Sequence, residues 1–124
     1  MDIALWVVQG LLALVFLMAG VMKLSQSKEK LAPQMPFVED VSQGQVRTIG
    51  GLEALGAAGL VLPPLTGILP LLSPIAALGL ALTMVGAMIT HARRGDGAAS
   101  LIVNAVLLIL ALFVAYGRFV SSPF

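Results

Sequence analysis

The chain has 124 residues, of which 59% are hydrophobic and only 10% are charged, and its mean hydropathy is +1.03. Soluble domains average about 45–50% apolar and about 25% charged residues, so this composition excludes an ordinary water-soluble domain and indicates a membrane protein. The net charge of +1 argues against a nucleic-acid partner, and a chain with no cysteine and one histidine lacks the usual ligands of zinc, iron–sulfur and other metal sites.

Four hydrophobic segments are long enough to cross a bilayer, whose hydrocarbon core needs about 20 helical residues. They are predicted, in chain order, at residues 2–24, 47–62, 68–91 and 97–118. The third has Pro70 and Pro74 in its opening turns, where proline is tolerated. The fourth ends on Tyr116, Arg118 and Phe119, which we interpret as interfacial anchors. The predicted fold class is all-α, a single-domain integral membrane four-helix bundle.

The first segment could instead be read as a signal peptide, but its sequence argues against that reading. A signal peptide begins with a basic region and is followed by a small-residue cleavage site. Here Asp2 occupies the basic region, and no site of that kind follows. The segment is therefore predicted to be the first membrane span.

The three connections differ in length and charge. The connection 25–46 is long and charged, and its apolar residues between 33 and 41 are expected to lie along the membrane surface. The connection 63–67 is predicted as a tight uncharged turn, and 92–96 is short and basic. In a four-span chain the first and third connections share a side, which holds six of the seven Lys and Arg residues when Lys23 and Arg47 are included. The positive-inside rule then places loops 25–46 and 92–96 in the cytoplasm and both termini outside the inner (plasma) membrane.

Each predicted span has one face of small and polar residues, a pattern typical of helices that pack closely in lipid. The four stripes are Gln9, Phe16, Gly20 and Lys23; Glu53, Gly56, Ala57 and Leu60; Gly79, Thr83, Gly86 and Thr90; and Ser100, Asn104, Ala111 and Ala115. Plain helix packing is the simplest interpretation for Gln9, Thr83, Thr90 and Ser100.

Glu53 is an acidic residue well inside a span. At 1.5 Å per residue, Glu53, Asn104 and Thr83 lie about 9, 10 and 12 Å into their spans from the same side and are expected to share one layer. A lone carboxylate in hydrocarbon costs several kcal/mol or takes up a proton, and Lys23 is the nearest candidate to neutralise it. The sequence therefore predicts a polar pocket near the cytoplasmic leaflet. Its candidate residues are Lys23, Glu53, His91, Asn104, Thr83, Arg93 and Asp96.

The role of this pocket has two interpretations. A Glu–Lys pair can simply fix which helix lies beside which, or the pocket can bind a ligand or handle protons. His91 is more simply an interfacial residue than a proton shuttle, and Arg93 and Arg94 are more simply topology determinants than lipid-headgroup ligands. The residues alone assign no catalytic side chain.

Three stretches resemble the DoxX-like family of small four-helix membrane proteins. They are "LLALVFLMAGVMKL" (Leu11–Leu24), "GGLEALGAAGLVLPP" (Gly50–Pro64) and "MITHARRGD" (Met88–Asp96). The shared features are A-G-x-x-K-L at the end of the first helix, G-x-x-E-x-x-G in the second and T-H-x-R-x-G-D at the end of the third. They occur in order over essentially the whole chain. The positions that match the recurrent pattern are Lys23, Glu53, His91, Arg93 and Asp96.

The resemblance implies an integral four-helix bundle and, more loosely, a function. The family takes its name from a small subunit of a thiosulfate:quinone oxidoreductase. Other relatives are linked to membrane oxidative-stress complexes, and distant eukaryotic ones act as chaperones or cargo receptors. The family offers no agreed catalytic residues.

These observations predict an accessory subunit of a quinone-linked membrane redox complex, with Glu53 or His91 as a proton acceptor from quinol. The sequence has no recognisable flavin, haem or metal motif, so the chain is not expected to be an enzyme on its own or to hold a covalent cofactor or metal. The alternative is a non-enzymatic assembly or chaperone-like protein. A carrier of a small hydrophobic or anionic solute is less favoured, because no inverted repeat is evident. The expected partners are the lipid bilayer, a redox protein and further copies of the chain.

Overall fold

A computed structural model describes residues 2–33, 39 and 41–124. Its elements are α1 (Asp2–Ser25), α2 (Lys28–Leu31), α3 (Gln43–Thr66), α4 (Leu72–Arg94), α5 (Ala98–Tyr116) and a π-helical turn that continues α5 over Gly117–Ser121. Four helices are long and apolar enough to cross a membrane, and the described residues contain no strand. The predicted all-α four-helix bundle is confirmed. Most of the apolar loop segment predicted at the membrane surface, residues 34–38 and 40, lies outside the described residues.

The helix α3 begins four residues before the predicted span. Ser42 caps it, because its side-chain oxygen accepts from the backbone N–H of Gln45 at 3.1 Å. In return, the side chain of Gln45 accepts from the backbone N–H of Ser42 at 2.9 Å. This reciprocal capping box satisfies donors that have no partner inside the helix. It therefore extends α3 beyond the hydrophobic segment into the polar connection.

The predicted turn over residues 63–67 is wrong, since Pro63 and Pro64 lie inside the last turns of α3. The φ of proline fits a helix, but inside one it removes an N–H donor and its ring crowds the carbonyl four residues earlier. The helix ends where Gly67 adopts a φ of 73°. Leu69 also has a positive φ, of 47°, which breaks the helical path. The helix α4 consequently starts at Leu72 rather than at the predicted residue 68.

Two glycines bring α1 and α3 into backbone contact. A Cβ atom on Gly20 would lie 2.6 Å from the carbonyl oxygen of Gly50, and one on Gly50 would lie 2.6 Å from the Cβ of Lys23. No side chain fits at these distances, so only glycine permits so close an approach. As a result α1 packs mainly on α3, while α4 packs mainly on α5.

The larger hydrophobic cluster occupies one half of the bundle, and a smaller one around Leu31 and Val46 lies at the opposite end. We call the end that carries both chain termini and the α3–α4 connection the terminus end, and the opposite end the loop end. The buried residues of α4 lie between Ser73 and Met84, and those of α5 lie between Ala111 and Ala115. In the stretch between Met84 and Ala111, all of it described, no residue is buried. The α4–α5 pair is therefore tightly packed at the terminus end and more open at the loop end, whereas α1 and α3 stay in contact there.

The predicted stripes agree with the structure for α1 and α3, whose members are buried except for the half-buried Gly56. In α5 the stripe is buried only in its second half. In α4 none of the four members is buried: Thr83, Gly86 and Thr90 line a cavity between the helices, and Gly79 is exposed. The buried face of α4 is instead formed by Ser73, Pro74, Ala77, Leu80, Ala81 and Met84. Larger apolar side chains fill the core here, because burial stabilises them more than glycine and threonine.

Candidate functional site

A cavity of about 680 Å³ lies toward the loop end between the α1–α3 pair and the α4–α5 pair. We call it the loop-end cavity. All four long helices line it, and much of its wall is apolar, including Phe16, Met84 and Leu107. Its size is typical of small-molecule sites, which combine apolar walls with a few placed polar groups. The polar lining residues are Lys23, Glu53, Thr83, Thr90, His91, Ser100 and Asn104.

Lys23 and Glu53 form an ion pair at the wall of this cavity. Their residues are only 7% and 2% exposed. Each lies three residues after one of the two contacting glycines, Gly20 and Gly50, so the helix contact brings the two side chains together. The lysine side chain leans toward the N-terminus of its helix, which directs it deeper into the bundle. The pair is the neutralisation expected from the sequence, and it leaves no net charge in the layer of Glu53.

Three polar side chains of the cavity, Thr83, Thr90 and Asn104, are bonded along their own helices. Thr83 and Thr90 each donate to the carbonyl oxygen four residues earlier, at 3.0 and 2.9 Å. The Asn104 amide nitrogen does the same at 2.9 Å, rather than bonding to Glu53. Because the threonine protons are used in this way, the threonine oxygens act toward the cavity as acceptors, as does the amide oxygen of Asn104.

His91 contacts the loop that follows α4. Gly95 adopts a φ of 71° and ends the helix, so the chain turns back and Asp96 meets the imidazole. The His91 Nδ1 atom lies 2.7 Å from Asp96 Oδ2, and the Arg94 Nε atom donates to both carboxylate oxygens at 3.1 Å. The hydrogen bond with His91, together with Arg94, lowers the pKa of Asp96 below its usual 3.8. The carboxylate therefore stays ionised at neutral pH and orients the imidazole.

The predicted site residues thus occupy different positions. Five of them line the cavity: Lys23, Glu53, Thr83, His91 and Asn104. Asp96 bonds to His91 from the loop. Arg93 is exposed and does not line the cavity, because it lies on a different face of α4 from His91.

A second polar cluster lies at the terminus end, and the sequence analysis missed it as a unit. The Gln9 amide nitrogen donates to the Leu60 carbonyl oxygen at 2.8 Å and to the Ser73 hydroxyl oxygen at 2.9 Å. The Ser73 hydroxyl donates to the same carbonyl at 2.7 Å. The Leu60 carbonyl is available because Pro64, four residues later, has no N–H. A proline late in a span was therefore a signal that a polar side chain must bond the carbonyl it leaves unpaired.

Arg118 completes this cluster and corrects one prediction. Its Nε atom donates to the Gln9 side-chain oxygen at 2.8 Å, and its Nη1 atom donates to Asp2 at 2.6 Å. With 2% exposure, Arg118 is buried rather than an interfacial anchor, because these acceptors and the rings of Trp6 and Phe124 contact its guanidinium. Tyr116 and Phe119, the other predicted anchors, are exposed.

Residues 7–114 match the family model described as the DoxX-like family. The matched range includes every polar residue of the loop-end cavity, whereas Arg118 lies outside it. The comparisons with curated proteins and with solved structures found no match.

Proposed function

The chain belongs to the DoxX-like family, and we propose that it is an accessory membrane subunit that binds a quinol in the loop-end cavity. The observation that carries the proposal is an apolar cavity of about 680 Å³ whose threonine and asparagine oxygens act as acceptors. A membrane quinol is apolar over most of its surface and donates two hydroxyl hydrogen bonds. The apolar surface of the quinol matches the apolar lining of the cavity, and its two hydroxyl donors match the threonine and asparagine acceptors.

The quinol head group is expected to bind among Thr83, Thr90 and Asn104. Their free acceptor oxygens favour the reduced form, which has hydroxyl donors, over the oxidised quinone, which has only carbonyl acceptors. Discrimination of this kind arises because a buried polar group without its partner is costly. The apolar side chains of Phe16 and Met84 then contact the ring and the start of the tail.

Quinol oxidation releases two electrons and two protons, and the chain's own residues are suited only to the protons. We assign one proton to His91, whose imidazole is oriented by the ionised Asp96, and the other to the Glu53 carboxylate of the ion pair. The electrons go to a redox partner protein, because the sequence has no motif for a flavin, haem or metal of its own. The chain is then a subunit of a redox complex rather than an enzyme alone. Its basic loops 25–46 and 92–96 face the cytoplasm in this proposal, as the positive-inside rule predicts.

An assembly function is a second candidate, and one observation favours it. Gly79 is exposed on α4 outside the loop-end cavity, and a Cβ atom there would meet nothing within 4 Å. Small residues on an exposed face allow a partner helix to approach closely in lipid. The same face could therefore hold the redox partner.

The quinol proposal is tested by binding of decylubiquinol and decylubiquinone to the purified protein in mild detergent. Thr83→Val removes a cavity acceptor, and Thr48→Val is its matched control. Both threonines donate to the carbonyl four residues earlier, at 3.0 and 2.9 Å, but Thr48 does not line the cavity. We expect wild type to bind quinol more tightly than quinone, and Thr83→Val to weaken quinol binding about threefold to tenfold. Equal binding by the two valine variants would contradict the proposal.

Glu53→Gln separates a structural role of the ion pair from a chemical one. Two quantities are compared with wild type: the yield of folded protein, and the quinol-dependent activity of membranes that contain the partner. A normal yield with lost activity supports proton transfer at Glu53. A collapsed yield shows that the ion pair is required for folding.

A further inference from the structure

A second, smaller cavity of about 250 Å³ lies at the terminus end. We call it the terminus-end cavity. Leucines and prolines of the α3–α4 connection line one side of it, and Pro123 and Phe124 line another. Among the described residues that line the cavity, Arg118 is the single polar one. The cavity therefore places one buried cation against apolar surroundings.

The Arg118 guanidinium is fixed on every side but one. Nε is bonded to Gln9, and Nη1 is bonded to Asp2 and, at 3.0 Å, to the carbonyl oxygen of Ser122. The guanidinium carbon of Arg118 lies over the ring of Phe124, 3.9 Å from the ring centroid. The Nη2 atom is buried and has no hydrogen-bond partner within the part of the chain that the structure describes.

A buried charged donor without a partner is costly, and native structures rarely keep one. Arg118 cannot turn to find a partner, because Gln9 and Asp2 hold the other two nitrogens. Asp2 compensates its charge only in part, since the aspartate side chain is 60% exposed to solvent. A guanidinium with such a donor favours an oxyanion, and its planar shape matches phosphate and carboxylate groups.

We propose that Arg118 and the terminus-end cavity bind a phosphate oxyanion, with Nη2 donating to a phosphate oxygen. A phospholipid headgroup and free phosphate share this chemistry, and the cavity favours the lipid. The part of its wall that the structure describes is apolar apart from Arg118, and it includes the exposed Leu69 and Leu71. The cavity also lies at the ends of the membrane-spanning helices, the depth at which lipid phosphates are found. The site is independent of the loop-end cavity and of the quinol proposal.

The test uses the full chain, purified and delipidated in a neutral detergent. Native mass spectrometry and thermal unfolding are recorded with phosphatidylglycerol, with diacylglycerol of the same acyl chains, and with inorganic phosphate. We expect phosphatidylglycerol to bind and to raise the unfolding temperature, while diacylglycerol does neither. Protection by inorganic phosphate without lipid binding would identify a soluble phosphate as the occupant of the same site.

Three variants and one control locate the site. Arg118→Gln should weaken phosphatidylglycerol binding about tenfold or more. Leu71→Trp narrows the cavity and should also weaken it, whereas Leu82→Trp, on an exposed face of α4 away from the cavity, should not. Asp2→Asn removes the competing carboxylate and should tighten binding.

Two results would overturn the proposal. One is equal binding of phosphatidylglycerol and diacylglycerol with no effect of inorganic phosphate. The other is equal binding of phosphatidylglycerol by the two tryptophan variants. Should Arg118→Gln fail to fold, Leu71→Trp and Asp2→Asn still decide the question, because both leave Arg118 in place.

Discussion

Replacing Gly50 with alanine should separate α1 from α3 and destabilise the bundle. A Cβ atom at this position would lie 2.6 Å from the Cβ of Lys23 and 2.8 Å from the carbonyl oxygen of Gly20. Carbon atoms pack at about 3.5–4.0 Å, so the two helices must move apart by about 1 Å. Neither contact is the far end of a flexible side chain that could turn away. We therefore expect a loss of about 1–3 kcal/mol in the free energy of unfolding, as for other overpacked sites.

The loss is measured by unfolding the protein in mixed micelles with increasing dodecyl sulfate, followed by the helical circular dichroism signal. Gly10→Ala is the matched control, because Gly10 is an exposed residue of α1 with nothing within 4 Å of an added Cβ. Alanine there should be neutral or should stabilise the helix by up to about 1 kcal/mol. If both alanine variants unfold at the same dodecyl sulfate fraction, α1 and α3 do not approach at Gly50 as described.

Three further predictions concern the polar groups. Lys23→Met or Glu53→Leu alone should cost about 3–5 kcal/mol in unfolding free energy. In a double-mutant cycle the double variant should recover most of this loss. Additive losses would show that the two groups do not interact. Asp96→Asn should destabilise the α4–α5 loop at neutral pH, measured by amide hydrogen exchange. Because the bond with His91 lowers the pKa of Asp96 in the folded state, this difference should persist above pH 3.8 and vanish as the pH falls through the lowered pKa; a difference that grows in acid would contradict it. Ser73→Ala should cost about 1–3 kcal/mol, because a buried network loses both a donor and an acceptor, and an unchanged unfolding curve would show that the network is not formed.

The fold was predictable because lipid leaves few choices. Backbone groups in hydrocarbon must bond within helices or closed barrels, so composition and segment length were enough to predict four spans. The boundaries were less predictable. A proline usually signals the end of a helix, yet α3 continues through Pro63 and Pro64, and Gln9 and Ser73 bond the Leu60 carbonyl oxygen that Pro64 leaves unpaired. That compensation comes from other helices and cannot be seen in the local sequence.

The ion pair was predictable for a similar reason, since a carboxylate in hydrocarbon needs a nearby cation and Lys23 lay at a fitting depth. The burial of Arg118 was not. A cation at the end of a span ordinarily reaches toward the interface. Only the folded arrangement places Asp2 and Gln9, near the N-terminus, beside Arg118, near the C-terminus. The rotation of α4 about its axis was also not predictable from the sequence. Small residues occur both on the predicted face, at Gly79, and on the observed buried face, at Ala77 and Ala81, and packing against the other helices decides between them.

The openness of the loop end follows from the bonds at the terminus end. There the Leu60 carbonyl joins Gln9 of α1 to Ser73 of α4, and Arg118 joins the end of α5 to α1. All four helices are thus connected at one end by buried hydrogen bonds, which are strong because no water competes for them. At the loop end the Gly20–Gly50 contact holds α1 to α3, while α4 and α5 bury no residue between Met84 and Ala111. The bundle can therefore keep a cavity among its helices without losing its arrangement. Pro64, which frees the Leu60 carbonyl, thus belongs to the structural basis of the candidate site toward the other end of the bundle.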